Sequence, residues 1–132
     1  MQVDIPDDWK VEGTDNELEA HSPDDTLALF FAVFPTSKID KALGDIEKEI
    51  KSHVKNLKNN DDEKEIKHQG MLGMSMTASG TIDGENATLG IVIFETGAKK
   101  VVFMMAVAKT SDWDKKKRDA ETIFKTLRPL KK

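Results

Sequence analysis

The side chains that could bind a ligand in this chain of 132 residues include one regular row of hydroxyls. The row consists of Ser75, Thr77, Ser79 and Thr81. Because these positions alternate with apolar residues, they would share one face of a β-strand. They would form either the solvent-facing side of a sheet or the polar floor of a groove, with methionines as adaptable contacts at its rim. The predicted groove consists of Met71, Met74, Ser75, Thr77 and Ser79.

The second candidate site is a basic run near the end of the chain. It consists of Lys115, Lys116, Lys117 and Arg118. Asp112 stands four residues before Lys116, and Asp114 stands four before Arg118, which is the order that stabilises a solvated helix face. The alternative interpretation is a surface patch that binds an acidic protein or an anionic membrane surface.

Residues that could support catalysis or hold a metal are scattered along the sequence. The histidines do not stand at a metal-ligand spacing from one another; they are His21, His53 and His68. The acidic runs are too short for a calcium loop. The chain has no cysteine and no Gly-x-Ser-x-Gly motif. We therefore expect no catalytic residue, no cofactor site and no metal site, and a protein that is not an enzyme. An unrecognised hydrolase is the third-ranked alternative.

The charge distribution bears on the class of partner. A formal net charge of -4 argues against nucleic-acid binding, which needs a concentrated basic face. Residues 1–25 contain nine acids and one base, whereas residues 99–132 contain eleven bases and four acids. This asymmetry predicts either a partner surface or two ends of the chain that lie side by side and neutralise each other.

The elements that would position these side chains are clearest between Met71 and Lys109. Three β-rich runs are separated there by turn signals at Asp83-Gly84-Glu85-Asn86 and Thr96-Gly97-Ala98-Lys99, a pattern typical of an antiparallel meander. The last run, Val101 to Ala108, is apolar at every position, as is Leu27 to Phe34 earlier in the chain. Strands of this kind need cover on both faces, so we expect helices on both sides of the sheet.

Two amphipathic helices are predicted to supply that cover. The first carries the apolar stripe Ile39, Leu43, Ile46, Ile50, Val54 and Leu57. The second carries the stripe Trp113, Ala120, Ile123, Phe124 and Leu127 and ends before Pro129. Ser37 with Asp40, and Ser111 with Asp114, have the form of capping boxes at the two starts.

These elements predict an α+β fold in which an antiparallel β-sheet is sandwiched between helices (αβα), in the order β-β-β-α-(β)-β-β-β-α. The optional strand is a short one around Ile66, after a loop at Asn59-Asn60-Asp61-Asp62. Residues 1–132 have the length of a single domain. No apolar run is long enough to span a bilayer. The amino-terminal sequence fits either a cytoplasmic protein or the mature part of an exported protein expressed without its signal segment.

The opening Ile5-Pro6-Asp7-Asp8-Trp9, the closing Ala120-x-x-Ile123-Phe124-x-Thr126-Leu127-Arg128 and the order of elements resemble the PsbP-like superfamily. That superfamily is named for the extrinsic photosystem protein and includes bacterial lipoproteins and uncharacterised exported domains. The resemblance covers nearly the whole chain. It implies an antiparallel sheet between helices and a non-enzymatic binding or scaffolding role, and it carries no site residue over to this chain.

The function predicted from the sequence is that of a non-enzymatic binding or accessory domain, a monomer or weak dimer, whose partner is another protein. The alternative is a carrier of a small apolar or amphipathic ligand in a groove beside the Ser/Thr face of the sheet.

Overall fold

The structure, a computed structural model, describes residues 3–14, 17–60, 62–68, 70–95 and 99–126. The described residues form eight β-strands and two α-helices. The strands are β1 (Lys10–Gly13), β2 (Glu17–His21), β3 (Leu27–Pro35), β4 (Lys55–Asn59), β5 (Lys64–His68), β6 (Met71–Ile82), β7 (Glu85–Glu95) and β8 (Lys100–Lys109). The helices are α1 (Ile39–His53) and α2 (Trp113–Lys125).

All strand pairs in the sheet are antiparallel, and the strands lie in the order β1-β2-β3-β8-β7-β6. β4 and β5 both pair with β6, near opposite ends of that strand. The two runs that are apolar at every position, Leu27 to Phe34 in β3 and Val101 to Ala108 in β8, are neighbours in the middle of the sheet, with Leu27 opposite Ala108 and Phe34 opposite Val101. The sequence prediction of two central strands is confirmed.

A two-residue turn sets the register between β6 and β7. Asp83 and Gly84 both have positive φ, 50° and 81°, and Ile82 pairs with Glu85. Two consecutive positive φ angles are characteristic of the type I′ turn, whose twist matches that of the strands it joins. The turn predicted at Asp83-Gly84 is therefore present. The predicted turn at 96–98 lies outside the described residues, as do residues 15 and 16 of the turn between β1 and β2.

The two helices lie on opposite faces of the sheet. Ala120 and Ile123 of α2 are buried in a cluster with Leu29 and Met104. Ile50, near the end of α1, packs with Met105 on the other face. Since successive residues of a strand point to opposite sides, Met104 and Met105 of β8 show that the sheet is covered on both faces. The predicted α+β sandwich is confirmed.

Two sheet glycines allow close contact with the helical layers. A Cβ on Gly80 would overlap Val54, the residue that follows α1, and a Cβ on Gly90 would lie 2.8 Å from the indole Cη2 of Trp113, the first residue of α2. Glycine within a strand often marks such a close approach.

The end of the first helix was predicted wrongly. α1 ends at His53, so Val54 and Leu57 do not belong to its apolar stripe. Val54 is extended, and Leu57 lies in β4, a strand that the sequence did not predict. The reason is that β4 pairs only at the edge of the sheet and has polar residues at every position except Leu57, so it lacks the apolar alternation of a buried strand.

The predicted capping boxes are also absent. A single 3₁₀ turn, Thr36–Lys38 before α1 and Thr110–Asp112 before α2, precedes each helix, and neither helix has a side-chain hydrogen bond at its N-cap. The backbone leaves each strand through the 3₁₀ turn, which moves the helix start past the serine. Leu127 and Pro129, predicted for the end of α2, lie outside the described residues.

Candidate functional site

A cavity of about 680 Å³ lies between α1 and the sheet. It forms because α1 does not pack tightly on the strands, so that none of its residues is fully buried. Ile46 and Ile50 point to the sheet but stay half-buried. The volume is in the range of pockets that take small organic ligands, which is about 300–1,000 Å³. We call this cavity the α1 cleft.

The α1 cleft has an apolar interior. Its floor comes from adjacent strands of the sheet and includes Ala28, Phe30, Leu89, Met105 and Val107. Its roof is formed by Ile46 and Ile50 of α1. Phe30 is oriented by an edge-on contact with Phe103, with ring centroids 6.2 Å apart. The interior can therefore hold the hydrocarbon or aromatic part of a ligand.

The rim of the α1 cleft carries two rows of titratable side chains. The row on β2 is Glu17, Glu19 and His21, and the row on α1 is Asp45, Glu49 and His53. Residues two apart share one face of a strand, and residues four apart share one face of a helix. β2 and α1 both run opposite to β3, so the two acids of each row lie toward one end of the cleft and the histidines toward the other.

Each histidine of the rim lies near a carboxylate of its own row. His53 Nε2 is 3.2 Å from Glu49 Oε1, and His21 Nε2 is 3.9 Å from Glu19 Oε2. The side chains of these four residues are between 44% and 76% exposed. The rim is therefore in contact with water and presents hydrogen-bond acceptors on both sides of an apolar interior.

The predicted hydroxyl groove lies elsewhere, at the far side of the sheet. Ser75 pairs with Val92, which packs against the clusters on the α2 face. Thr77 donates from its hydroxyl and its backbone amide to the carboxylate of Asp62, at 2.6 and 2.7 Å, and these two hydrogen bonds hold the pKa of Asp62 below its usual range. Asn60 donates to the hydroxyls of Thr77 and Ser79. The hydroxyls of Thr77 and Ser79 thus already have hydrogen-bond partners within the chain.

The two methionines of the predicted groove lie on opposite faces of the sheet. Met71 is buried with Phe94 and Val102, whereas the side chain of Met74 is 39% exposed on the face that carries α1. The structure does not bring Met71 and Met74 to one rim, and ligand binding at the hydroxyl row stays a prediction.

The basic run on α2 is partly neutralised by the chain. Lys116 Nζ lies 3.3 Å from Asp24 Oδ2, and Lys117 Nζ lies 3.5 Å from Asp114 Oδ1. Neither contact is one of the predicted i,i+4 pairs: Lys116 pairs with Asp24, in the loop between β2 and β3, and Asp114 pairs with Lys117. A role of Lys115, Lys116, Lys117 and Arg118 in partner binding stays a prediction.

The two ends of the chain lie side by side, as one interpretation of the charge asymmetry predicted. Besides the contact of Lys116 with Asp24, the backbone amide of Asp4 donates to the hydroxyl of Thr126 at 2.8 Å. Asp24 also accepts hydrogen bonds from the hydroxyls of Thr26 and Ser22 and from the backbone amide of Thr26. These hydrogen bonds, with a smaller effect of Lys116, keep the pKa of Asp24 well below its usual range.

Other classes of site have little support in the part of the chain that the structure describes. No group of three or more histidine or acidic side chains there is arranged to hold a metal ion. No helix of the described residues is both long enough and apolar enough to cross a bilayer.

Sequence reasoning did not find the α1 cleft. Its two rows can be seen in the sequence, because two acids and a histidine recur every second residue from Glu17 and every fourth residue from Asp45. That a strand near the start of the chain and a helix after β3 form one rim depends on tertiary packing, for which the sequence carries no local signal.

Comparisons with known proteins show a shared fold at low sequence identity. No protein-family model matches the chain, and no curated protein matches it. Among solved structures, a Pseudomonas aeruginosa protein of unknown function superposes with a TM-score of 0.61 at 13% identity, over 97% of this chain and 90% of that one.

Two further solved structures are similar. LpqN of Mycobacterium tuberculosis, described as involved in cell envelope biogenesis, gives a TM-score of 0.65 at 14% identity, over 92% of this chain and 78% of its own. The cyanobacterial PsbP of Synechocystis gives a TM-score of 0.63 at 7% identity, over 96% of this chain and 84% of its own. The predicted resemblance to PsbP is thus supported at the level of the fold, and membership of that superfamily stays a prediction.

Proposed function

We propose that this protein is a non-enzymatic binding protein that holds a small amphipathic ligand in the α1 cleft. The observation that carries the proposal is the combination of a cavity of about 680 Å³, an apolar interior and a polar rim in one place. An amphipathic molecule can bury its apolar part in such a cavity while its polar end stays in contact with the rim and with water. The site differs from the hydroxyl groove predicted from the sequence, but the class of ligand is the same.

The side chains of the cleft favour binding over covalent catalysis. Of the described residues that line it, none carries a hydroxyl, thiol or amine that could act as a nucleophile. The carboxylates and imidazoles of the rim are solvated, whereas catalytic acids and bases are commonly tuned by burial. The similar structures are compatible with an accessory role and support nothing finer.

The proposal is tested with Nile red, an uncharged apolar dye whose fluorescence rises in an apolar environment. We expect the purified chain to bind the dye, and we expect Ala28→Trp to abolish binding, because an indole at this half-buried position would fill the floor of the cleft. Leu72→Ser is the matched control, since Leu72 is 71% exposed and lies outside the cleft. Absence of dye binding, or equal binding by the Ala28→Trp variant, would contradict the proposal.

Binding of another protein is a second candidate function, which one observation favours. Leu72 and Met74 are exposed on β6, at 71% and 39%, and share the face of the sheet that carries α1. Exposed apolar side chains that adjoin one another are typical of protein contacts. A cross-linked partner that is lost in the double variant Leu72→Ser, Met74→Ser but retained in Ala28→Trp would support this function. A partner retained by the double variant would exclude this surface from the interaction.

A further inference from the structure

We infer that the α1 cleft selects amphipathic ligands whose polar end is a cation, such as an alkylammonium group. The inference rests on the proposed function and adds the sign of charge on the ligand. It follows from the charges that face the cavity, from the aromatic ring in its floor and from the position of the helix end.

Carboxylates face the cavity from two separate elements. Glu17 and Glu19 come from β2, and Asp45 and Glu49 come from α1. The titratable groups that accompany them are His21 and His53. Of the described residues that line the cleft, none is lysine or arginine, so a positive ligand meets no fixed positive charge there. A carboxylate-bearing ligand such as a fatty acid would be repelled from both sides.

The floor of the cleft adds an aromatic ring beside one of these carboxylates. Glu19 and Phe30 are direct cross-strand partners of β2 and β3 and therefore share one face of the sheet. An ammonium group is attracted both to a carboxylate and to the face of an aromatic ring. Glu19 and Phe30 thus place two cation-binding groups next to each other, one on the rim of the cleft and one in its floor.

The end of α1 contributes in the same direction. The helix ends at His53, which lies on the rim. The carbonyl groups at the C-terminus of a helix carry partial negative charge, roughly half an elementary charge in all. This end of the cleft is therefore also more favourable for a cation than for an anion.

The inference is tested with three ligands that share one alkyl chain and differ in charge: decyltrimethylammonium, decanoate and decanol. Their binding to the full chain is measured by calorimetry at low and at high salt, below the micelle concentrations of the two ionic compounds and below the solubility limit of decanol. We expect the ammonium compound to bind roughly tenfold more tightly than decanoate at low salt, because exposed ion pairs each add a modest amount and four carboxylates contribute. The preference should shrink at high salt, which screens exposed charges.

Variants of the rim carboxylates test whether the preference for the ammonium compound arises at the rim. Glu19→Gln and Glu49→Gln should each weaken binding of the ammonium compound by about twofold to threefold while leaving decanol binding unchanged. Glu47→Gln is the matched control: it removes a negative charge from the same helix, but Glu47 pairs with Lys51 at 2.8 Å and does not line the cleft. It should have a smaller effect than either rim variant.

The outcomes separate this inference from the proposed function. Equal or tighter binding of decanol or decanoate in the cleft would overturn the selectivity for cations and leave the binding function standing. If none of the three compounds bound, both proposals would fall. An undiminished preference for the ammonium compound in the double variant Glu19→Gln, Glu49→Gln would also overturn the inference, because the rim carboxylates would not be its source.

Discussion

The two faces of the sheet are covered by helices of similar length but are packed very differently. On one face, Ala120 and Ile123 of α2 are buried among the side chains of β3 and β8. On the other face, α1 buries no residue completely and leaves a cavity against the same two strands. Two amphipathic helices with similar apolar stripes therefore differ in how closely they pack on the sheet. The α2 face is closely packed, whereas the α1 face leaves the space that we propose as a ligand site.

The polar contacts of the helices follow the same division. On α2, Lys116 reaches Asp24 in the loop between β2 and β3 and so links the helix to the sheet. On α1, the ion pair of Glu47 with Lys51 and the contact of Glu49 with His53 lie within the helix itself. They stabilise the helix without fixing its position over the strands.

The largest expected difference between the faces comes from truncating one isoleucine on each helix. Ile123→Ala should lower the free energy of unfolding by about 2–5 kcal/mol, because it opens a cavity in a buried cluster. Ile46→Ala should lower the free energy of unfolding by less than half of that amount, because Ile46 is half-buried and already borders the empty space of the α1 cleft. Urea unfolding of both variants measures the difference. Equal losses would mean that the two faces are equally packed.

The next largest effect comes from enlarging one alanine on each face. Ala106 is only 3% exposed on the α2 face, so Ala106→Leu should destabilise the protein by about 1–3 kcal/mol through overpacking. Ala28→Leu extends into the α1 cleft and should leave stability unchanged or slightly higher. Thermal unfolding compares the two variants. Strong destabilisation by Ala28→Leu would show that the α1 cleft has no room for a larger side chain at this position.

A pair of glycines gives effects of opposite sign. Gly90→Ala places a methyl group 2.8 Å from the indole of Trp113 and should destabilise the protein by about 1–3 kcal/mol. Gly44, in the interior of α1, has open space around it, so Gly44→Ala should stabilise the helix by about 0.5–1 kcal/mol. Denaturant unfolding measures the sign of the change in the free energy of unfolding for each variant. The same sign for both variants would contradict the difference between the helices.

The smallest effect concerns acid. The pKa of Asp24 is lower in the folded chain than its usual value, so its ionised form stabilises the fold at neutral pH. That contribution is lost as pH falls below the usual aspartate range toward the lowered value. Asp24→Asn should therefore destabilise the protein at neutral pH and approach the parent as pH decreases. Parallel pH profiles of the two proteins would show that the Asp24 carboxylate contributes nothing.

Elements with a strong apolar pattern could be predicted from the sequence, and elements without one could not. β3 and β8 each contain eight consecutive apolar residues, and α2 carries a clear apolar stripe, so their types and their place in the sandwich follow from the need to bury them. β4 has polar residues around Leu57 and exists because β6 offers it an edge to pair with. Its existence could be known only once the position of β6 was known.

The candidate site was harder to predict for the same reason. The spacing of Glu17, Glu19 and His21 shows a shared strand face, and Asp45 and Glu49 show a shared helix face. Their meeting depends on how α1 crosses the sheet. That direction is set by contacts distant in sequence, among them Val54 against Gly80. The alternation of the hydroxyl row is local and can be read from the sequence, whereas its hydrogen-bond partners Asn60 and Asp62 lie some 15 to 19 residues away and carry no local signal.

The most direct test of the division between the faces is an amide chemical-shift titration of the ¹⁵N-labelled chain with decyltrimethylammonium. We expect the shifted amides to cluster in residues 28–30 of β3 and 45–54 at the end of α1, on both sides of the cleft, while residues 113–125 of α2 stay unchanged. Shifts centred instead on α2, or on the exposed residues Leu72 and Met74 of β6, would contradict a binding site beneath α1.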